Sequence, residues 1–385
     1  MHVAFHKKRA TCIIWLVSRV FLSEKSVNFS GKRVIRRHRL LPGGLVMMLG
    51  NFRFHGLSLA VAAVAGIVAG TGGAVANDST ARLELGGLVY ANTTAIRIAE
   101  EDLYLSRDEV RVRYRFENVT DKDVSTLVAF PMPELVIGDD VSYSVEPTDP
   151  INFIGFTVAV NGEPVPVSVE ARATRFGVDV TDILARHDIP VTLFTGDPDL
   201  TDALFQRLNN LPAAARAELD ENGLIDWSTT FGAGEKPLAN PHWRARVSFY
   251  WHQTFPAGAT IEVEHRYRPV PSVFFLGPDQ ARTPSYGKEF CIDKGFVRGV
   301  ERRAGSSEHG YLMGYELRYV LVTANNWLGP IGKFRLTIDK GNPDDLVSLC
   351  IDGIRKTGPT TFVHEAENFS PGGDLNILFA SMVRR

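Results

Sequence analysis

The stretch "EVRVRYRFENV" (residues 109–119) decides the fold. Val110, Val112, Tyr114 and Phe116 fall on one side of an extended chain, and Arg111, Arg113 and Arg115 fall on the other. A period of two marks a strand with one buried and one solvated face. "TDKD" (120–123) turns the chain, and "VSTLVAFPMP" (124–133) follows as a second strand. Pro131 and Pro133 end it, because proline has no N–H for a ladder. "FTVAVNGEPVPVSV" (156–169) reads as a hairpin whose Asn161-Gly162 supplies the positive φ angles of a tight turn.

The same pattern returns in "HWRARVSFYWHQTF" (242–255). Trp243, Ala245, Val247, Phe249, Trp251 and Phe255 share one face; Arg244, Arg246, Ser248, Tyr250 and His252 share the other. "PAG" leads into "TIEVEHRYRPV" (260–270), with Ile261, Val263, His265 and Tyr267 on one side and Glu262, Glu264, Arg266 and Arg268 opposite. These two runs are expected to pair in one sheet with a heavy aromatic face. After a Gly-, Pro- and charge-rich loop over 270–310 come five more short strand patterns, from "YELRYVLVTANNW" (315–327) to "LNILFASM" (375–382). The fold class is therefore mainly β, with antiparallel, sandwich-like sheets in two lobes.

Between the two β regions the period changes. "TDILARH" (181–187), with Thr181 as N-cap, "DPDLTDALFQRLNN" (197–210) and "LPAAARAELDENG" (211–223) read as short helices. The organisation is a basic segment over 1–46, an export leader over 47–76, an N-terminal β region over 77–177, a helical insertion and loop over 178–240, and a C-terminal β region over 241–385.

The leader is read from Leu57–Val68, a short Ala- and Val-rich run behind Arg53, closed by Gly72, Gly73 and Ala74-Val75-Ala76. A basic start, a short apolar core and a small-x-small end describe a secretory signal peptide cut between Ala76 and Asn77. A membrane span needs about 20 strongly apolar residues, which this run does not supply. Residues 1–46 hold ten Lys or Arg and one acid, Glu24, and read as an over-extended gene start ahead of Met47. Without residues 1–76, Lys plus Arg falls from 42 to 31 and Asp plus Glu from 44 to 43, so the net charge moves from −2 to −12. An acidic periplasmic or secreted protein follows, with no nucleic acid as partner and no membrane span after the cut. Cys12 leaves with the leader; Cys291 and Cys350 remain, and in an oxidising compartment an isolated pair reads as a disulfide.

"ANDST" (76–80), "EVRVRYRFENVTDKDVSTLVAFPMPEL" (109–135), "FYWHQTFPAG" (249–258), "ANNWLGPIGKFRLTIDKG" (324–341) and "GPTTFVHEAENFSP" (358–371) together resemble the bacterial exported proteins of domain-of-unknown-function family 4424. The resemblance runs from Asn77 to about Met382. It implies export and carries no catalytic residue.

The chemistry-bearing candidates are few. Ser285-Tyr286-Gly287-Lys288 and Lys356-Thr357-Gly358 match two marks of penicillin-recognising serine enzymes, but no Ser-Asp-Asn lies between them and no helical period surrounds the serine. Among His187, His242, His252, His265, His309 and His364 no pair has tight ligand spacing, so no metal and no cofactor is expected. Asp197, Asp199 and Asp202 suit a helix cap better than a calcium loop. Trp227 and Trp327, beside the loops "DWSTTFGAG" and "NNWLGP", are the aromatics expected at a ligand surface. The leading expectation is a non-enzymatic binding protein whose partner is an envelope protein or a small ligand. The alternative is a hydrolase acting on envelope material, built on His252, His265, Glu262 and Glu264 converging in space.

Overall fold

The computed structural model describes residues 77–383, apart from 85–86, 139–140, 146–148, 150, 194–196 and 230–237. The basic segment 1–46, the leader 47–76 and the residue Ala76 lie outside the described residues. Within them the fold is mainly β, in several antiparallel sheets.

The alternating strand Val110–Asn118 sits inside an eight-stranded sheet. Its neighbours are Ile96–Leu105 on one side and Thr260–Tyr267 on the other, both antiparallel. Val110, Val112, Tyr114 and Phe116 are buried, as their spacing requires. The next strand, Val124–Pro131, does not pair with it. It lies in a seven-stranded sheet against Trp243–Phe255. Likewise Trp243–Phe255 and Thr260–Tyr267, expected to be neighbours, lie in different sheets. The short turns 119–123 and 256–259 are corners that carry the chain from one sheet to the other. Both strands of each pair therefore aim their apolar faces into one intersheet space, which the alternation alone cannot distinguish from side-by-side pairing.

Asn118 ties the two corners together. Its Nδ2 donates to the carbonyls of Lys122 (2.8 Å) and Phe255 (2.9 Å), and its Oδ1 accepts from the N–H and hydroxyl of Thr120 (3.0 and 2.7 Å). A buried amide with every good partner in place fixes the crossing without leaving a polar group unmet.

The intersheet space is filled by rings. Phe156 stacks on Phe130 and Phe249 with centroids 5.0 and 4.6 Å apart, and Trp251 meets His265 edge-on at 5.2 Å. One core runs from Ile96 to Phe379 and also draws on the five-stranded sheet that holds Leu312–Tyr319 and Leu375–Ser381. The two lobes expected from the sequence share this core.

The presumed loop over 270–310 is largely ordered structure: a strand, Ser272–Leu276, then helices Pro278–Ala281, Pro284–Glu289 and Lys294–Ser306. The last is amphipathic. It buries Phe296, Val300 and Ala304 and is capped by Asp293, which accepts from the N–H of Phe296 at 2.6 Å. Its glycines and arginines mask a three- to four-residue spacing. The insertion helices fall at Thr181–Arg186, Pro198–Asn209 and Ala213–Glu221. Asp197 caps the second through the N–H of Asp199 (2.9 Å). Thr181 does not cap the first; its hydroxyl instead accepts from the N–H of Ala173 (2.9 Å).

Candidate functional site

The outer face of the eight-stranded sheet carries a groove of about 880 Å³. Five strands carry its charged lining: Thr361–Phe369, Ile331–Asp339, Ile96–Leu105, Val110–Asn118 and Thr260–Tyr267. Their register lines up two rows. One reads Glu367, Lys333, Glu100, Arg115, Glu262; the next reads Glu365, Arg335, Asp102, Arg113, Glu264. Each row alternates acid and base and ends in an acid at both sides.

Neighbours in the rows are paired. Arg113 Nε lies 2.6 Å from Glu264, Arg115 Nη2 lies 2.5 Å from Glu100, Lys333 Nζ lies 3.2 Å from the same Glu100, and Arg335 pairs with Glu365. Hydrogen bonds led by Lys333 draw the Glu100 carboxyl below its ordinary range. Partial burial works against ionisation of Glu264, but Arg113 and Arg266 outweigh it and hold its pKa low as well. Such exposed pairs contribute little stability one by one. The row-end acids Glu264 and Glu365 also pair with Arg266 (2.5 Å) and Arg355 (3.2 Å), whereas Asp102, Glu262 and Glu367 have no ion pair among the described residues.

A bulge makes this face possible. Ile98 pairs with Phe116, yet Glu100 already pairs with Arg115, so Ala99 is the extra residue. Before the bulge Ile96 and Ile98 point inward; after it Glu101, Leu103 and Leu105 do. Glu100 and Asp102 are thereby turned out into the rows, and Glu101 is turned into the core. Gly332 permits the bulge, since a Cβ there would lie 2.6 Å from the Ala99 carbonyl.

Behind the groove, on the inner face, lies a buried polar cluster. Asn77, Asp78 and His265 are fully buried and Glu101 is nearly so. Asn77 Nδ2 donates to the Glu101 carboxyl (3.2 and 3.4 Å), and Tyr114 O–H donates to Asn77 Oδ1. Trp327 Nε1 donates to the Asp78 carbonyl at 2.6 Å. His265 Nε2 stands 3.4 Å from Asp78 Oδ2, but neither side chain has an aligned hydrogen bond. Burial raises the Glu101 pKa to about 8, against the Asn77 bond that lowers it. Burial, with Glu101 nearby, pushes Asp78 well up, and burial pushes His265 down to about 3. We take Asp78 and His265 as a neutral pair rather than an ion pair, because burial disfavours both charges.

A pH dependence follows for the chain joined through residue 76. Glu101, raised to about 8, favours folding below its unfolded pKa of 4.5, and that gain is lost as pH rises through 8. His265, lowered to about 3 from 6.5, favours folding above 6.5, and that gain is lost as pH falls. Asp78, pushed well up by burial, adds a fall of its own with rising pH, so above 6.5, where His265 no longer offsets the two carboxyls, stability falls. Urea titrations should show stability dropping by about 2 kcal/mol or more between pH 6.5 and 8, and a drop smaller by about 2 kcal/mol in Glu101→Gln. A drop of undiminished size in Glu101→Gln would assign it elsewhere.

The sequence candidates distribute as follows. Glu262 and Glu264 line the groove, His265 on the opposite face of the same strand points into the core, and His252 is exposed on the other sheet. The four do not converge. Trp327, expected at a surface, is 3 % exposed and rings with Phe116 at 4.6 Å, because the short helical turn Val322–Asn326 folds it inward. Trp227 is half-buried, with the Arg216 guanidinium 4.1 Å from its ring centre. Cys291 and Cys350 are joined, with Cα atoms 5.0 Å apart. Ser285 stands on a six-residue helix, contrary to the expected irregular chain, but it is exposed rather than buried against its lysine. Among the described residues no group of three or more His, Cys, Asp or Glu side chains is placed to hold a metal ion, and no helix is long and apolar enough to cross a membrane.

These features define a class: a β protein of facing sheets with a charged external groove. The chain belongs to the family described as Domain of unknown function (DUF4424), whose model matches residues 76–378. No curated protein matches it. Among solved structures it is similar to one described as a "putative nutrient binding protein" from Legionella pneumophila subsp. pneumophila str. Philadelphia 1, at 15% identity and a TM-score of 0.38, over 80% of this chain and 71% of that one.

Proposed function

We propose that this is an exported, non-enzymatic binding protein of the cell envelope, and that the groove takes a small ligand bearing two or more ammonium groups. The carrying observation is the pair of acid-ended rows, in which Asp102, Glu262 and Glu367 form no ion pair among the described residues. They lie two strands apart in turn, so roughly 10 Å separates neighbours across the sheet. A flexible polyamine-like cation spans such intervals, and its charges meet carboxylates that the ladder leaves unneutralised. The net charge of −12 without residues 1–76, the leader read over 47–76 and the joined cysteines support export to an oxidising compartment.

Calorimetric titration with spermine tests the reading. The full chain should bind spermine, and added salt should weaken it. The combined variant Asp102→Asn, Glu262→Gln and Glu367→Gln should bind about tenfold more weakly or worse, with an unchanged far-ultraviolet spectrum. Equal binding by wild type and variant would remove the groove from the account.

A further inference from the structure

Asn77 and Asp78 are fully buried although they open the mature sequence inferred above. The main-chain N–H of Asn77 donates to Thr323 Oγ1, and the Thr323 hydroxyl donates back to the Asn77 carbonyl at 2.5 Å. The Asn77 side chain reaches both oxygens of Glu101, and the N–H of Asp78 turns back onto Asn77 Oδ1 at 3.1 Å. Asn326 Nδ2 holds Ser79 Oγ at 2.9 Å. This segment is thus locked by Thr323, Asn326 and Trp327 into the middle of the core. There it meets two buried carboxyl groups, Glu101 and Asp78. Both Asp78 oxygens are unsatisfied, and no Lys or Arg pairs with either group among the described residues. Only the neutral His265 ring stands near, 3.4 Å from Asp78 and unaligned, so two buried acids without a fixed cation form an incomplete electrostatic site.

We propose that export processing completes it: cutting the Ala76–Asn77 bond leaves the α-ammonium of Asn77 inside the sandwich as the counter-charge of Glu101 and Asp78. The inference rests on the export reading. In the step, a signal-peptidase-type hydrolase adds water across the peptide bond. Ala76 leaves with the carboxylate, and Asn77 keeps the nitrogen as an amine that takes up the released proton. The nitrogen keeps Thr323 Oγ1 as acceptor and gains two further N–H donors on the residue whose side chain already holds the Glu101 carboxyl. Folding of the sandwich core is then coupled to removal of the leader, because an uncut chain presents an uncharged amide at the same place.

The test uses the full gene, exported and purified from the periplasm. Intact mass fixes the first residue. Reductive methylation of the folded protein at neutral pH, followed by peptide mapping, should modify exposed Lys122 and Lys356 but spare the Asn77 α-amine until guanidinium unfolds the chain. In the chain that starts at Asn77, Glu101→Gln should lower Tm by about 5–10 °C, since it leaves a buried ammonium short of its partner. With one glycine inserted between Ala76 and Asn77, the Glu101→Gln penalty should vanish. A mass that starts elsewhere overturns the export cut and this inference together. A chain that starts at Asn77 but whose α-amine reacts as fast as Lys122, or whose Tm ignores Glu101→Gln, overturns the inference alone. A metal ion lost on denaturation would do the same, by supplying the counter-charge from outside the chain.

Discussion

Trp327→Ala is expected to lower the unfolding free energy by about 4–5 kcal/mol, the cost of emptying a buried indole site together with one lost hydrogen bond. The ring is 3 % exposed and sits against Phe116 (4.6 Å) and Phe255 (6.0 Å), where the two sheets meet at their shared corner. Its N–H is the donor to the Asp78 carbonyl, so truncation also orphans a buried acceptor beside Glu101. Phe116 and Phe255 come from different sheets, and neither can follow the cavity inward without pulling its strand from register. Urea midpoints measure the effect. Trp227→Ala, a half-buried ring under Arg216, should cost far less. A Trp327→Ala loss below about 1 kcal/mol would contradict the packing described and return the residue to the surface role its loop suggests.

The second large effect is expected at the disulfide. Replacing both Cys291 and Cys350 by serine removes a link across 59 residues, and chain entropy alone assigns about 4 kcal/mol to it. The link fastens the turn ahead of helix Lys294–Ser306 to the end of strand Leu346–Leu349. That helix covers a satellite cluster of Phe290, Phe296, Val300 and Leu378, and Leu346 packs on it. The cluster is small, so this part should open first in the serine variant, before the main core unfolds. Hydrogen exchange resolves the order. A variant as stable as the native chain, with helix amides equally protected, would show that the cover is held by packing alone.

The strands were legible where alternation is strict. Val110–Asn118 and Trp243–Phe255 bury the faces their spacing assigns, and the Asn161-Gly162 turn takes the positive φ angles it needs (49° and 86°). Strand Ile96–Leu105 was not legible, because the bulge at Ala99 breaks the period and the run Glu100-Glu101-Asp102 imitates a solvated loop. Helix Lys294–Ser306 was hidden by glycines and arginines, and Trp327 by its neighbouring turn residues. The groove was half visible. Arg113 and Arg115, like Glu262 and Glu264, show on polar strand faces. Their alternation with Lys333, Arg335, Glu365 and Glu367 depends on strand order, where Ile331–Asp339 runs parallel beside Ile96–Leu105, and no local pattern encodes that. The placement of Glu101 beside Asn77 depends on the same bulge.

The groove itself is tested most directly by nuclear magnetic resonance of the arginine Nε–Hε groups, titrated with spermine. Arg113 and Arg335 share a row with Asp102, and Arg115 shares one with Glu262 and Glu367, so a cation that engages those carboxylates must disturb the guanidinium groups beside them. The account predicts saturable shifts at Arg113, Arg115 and Arg335, with little change at Arg216 beside Trp227 or at Arg303 on the helical cover. Shifts confined to Arg216 or Arg303, or no shift at any concentration, would contradict it.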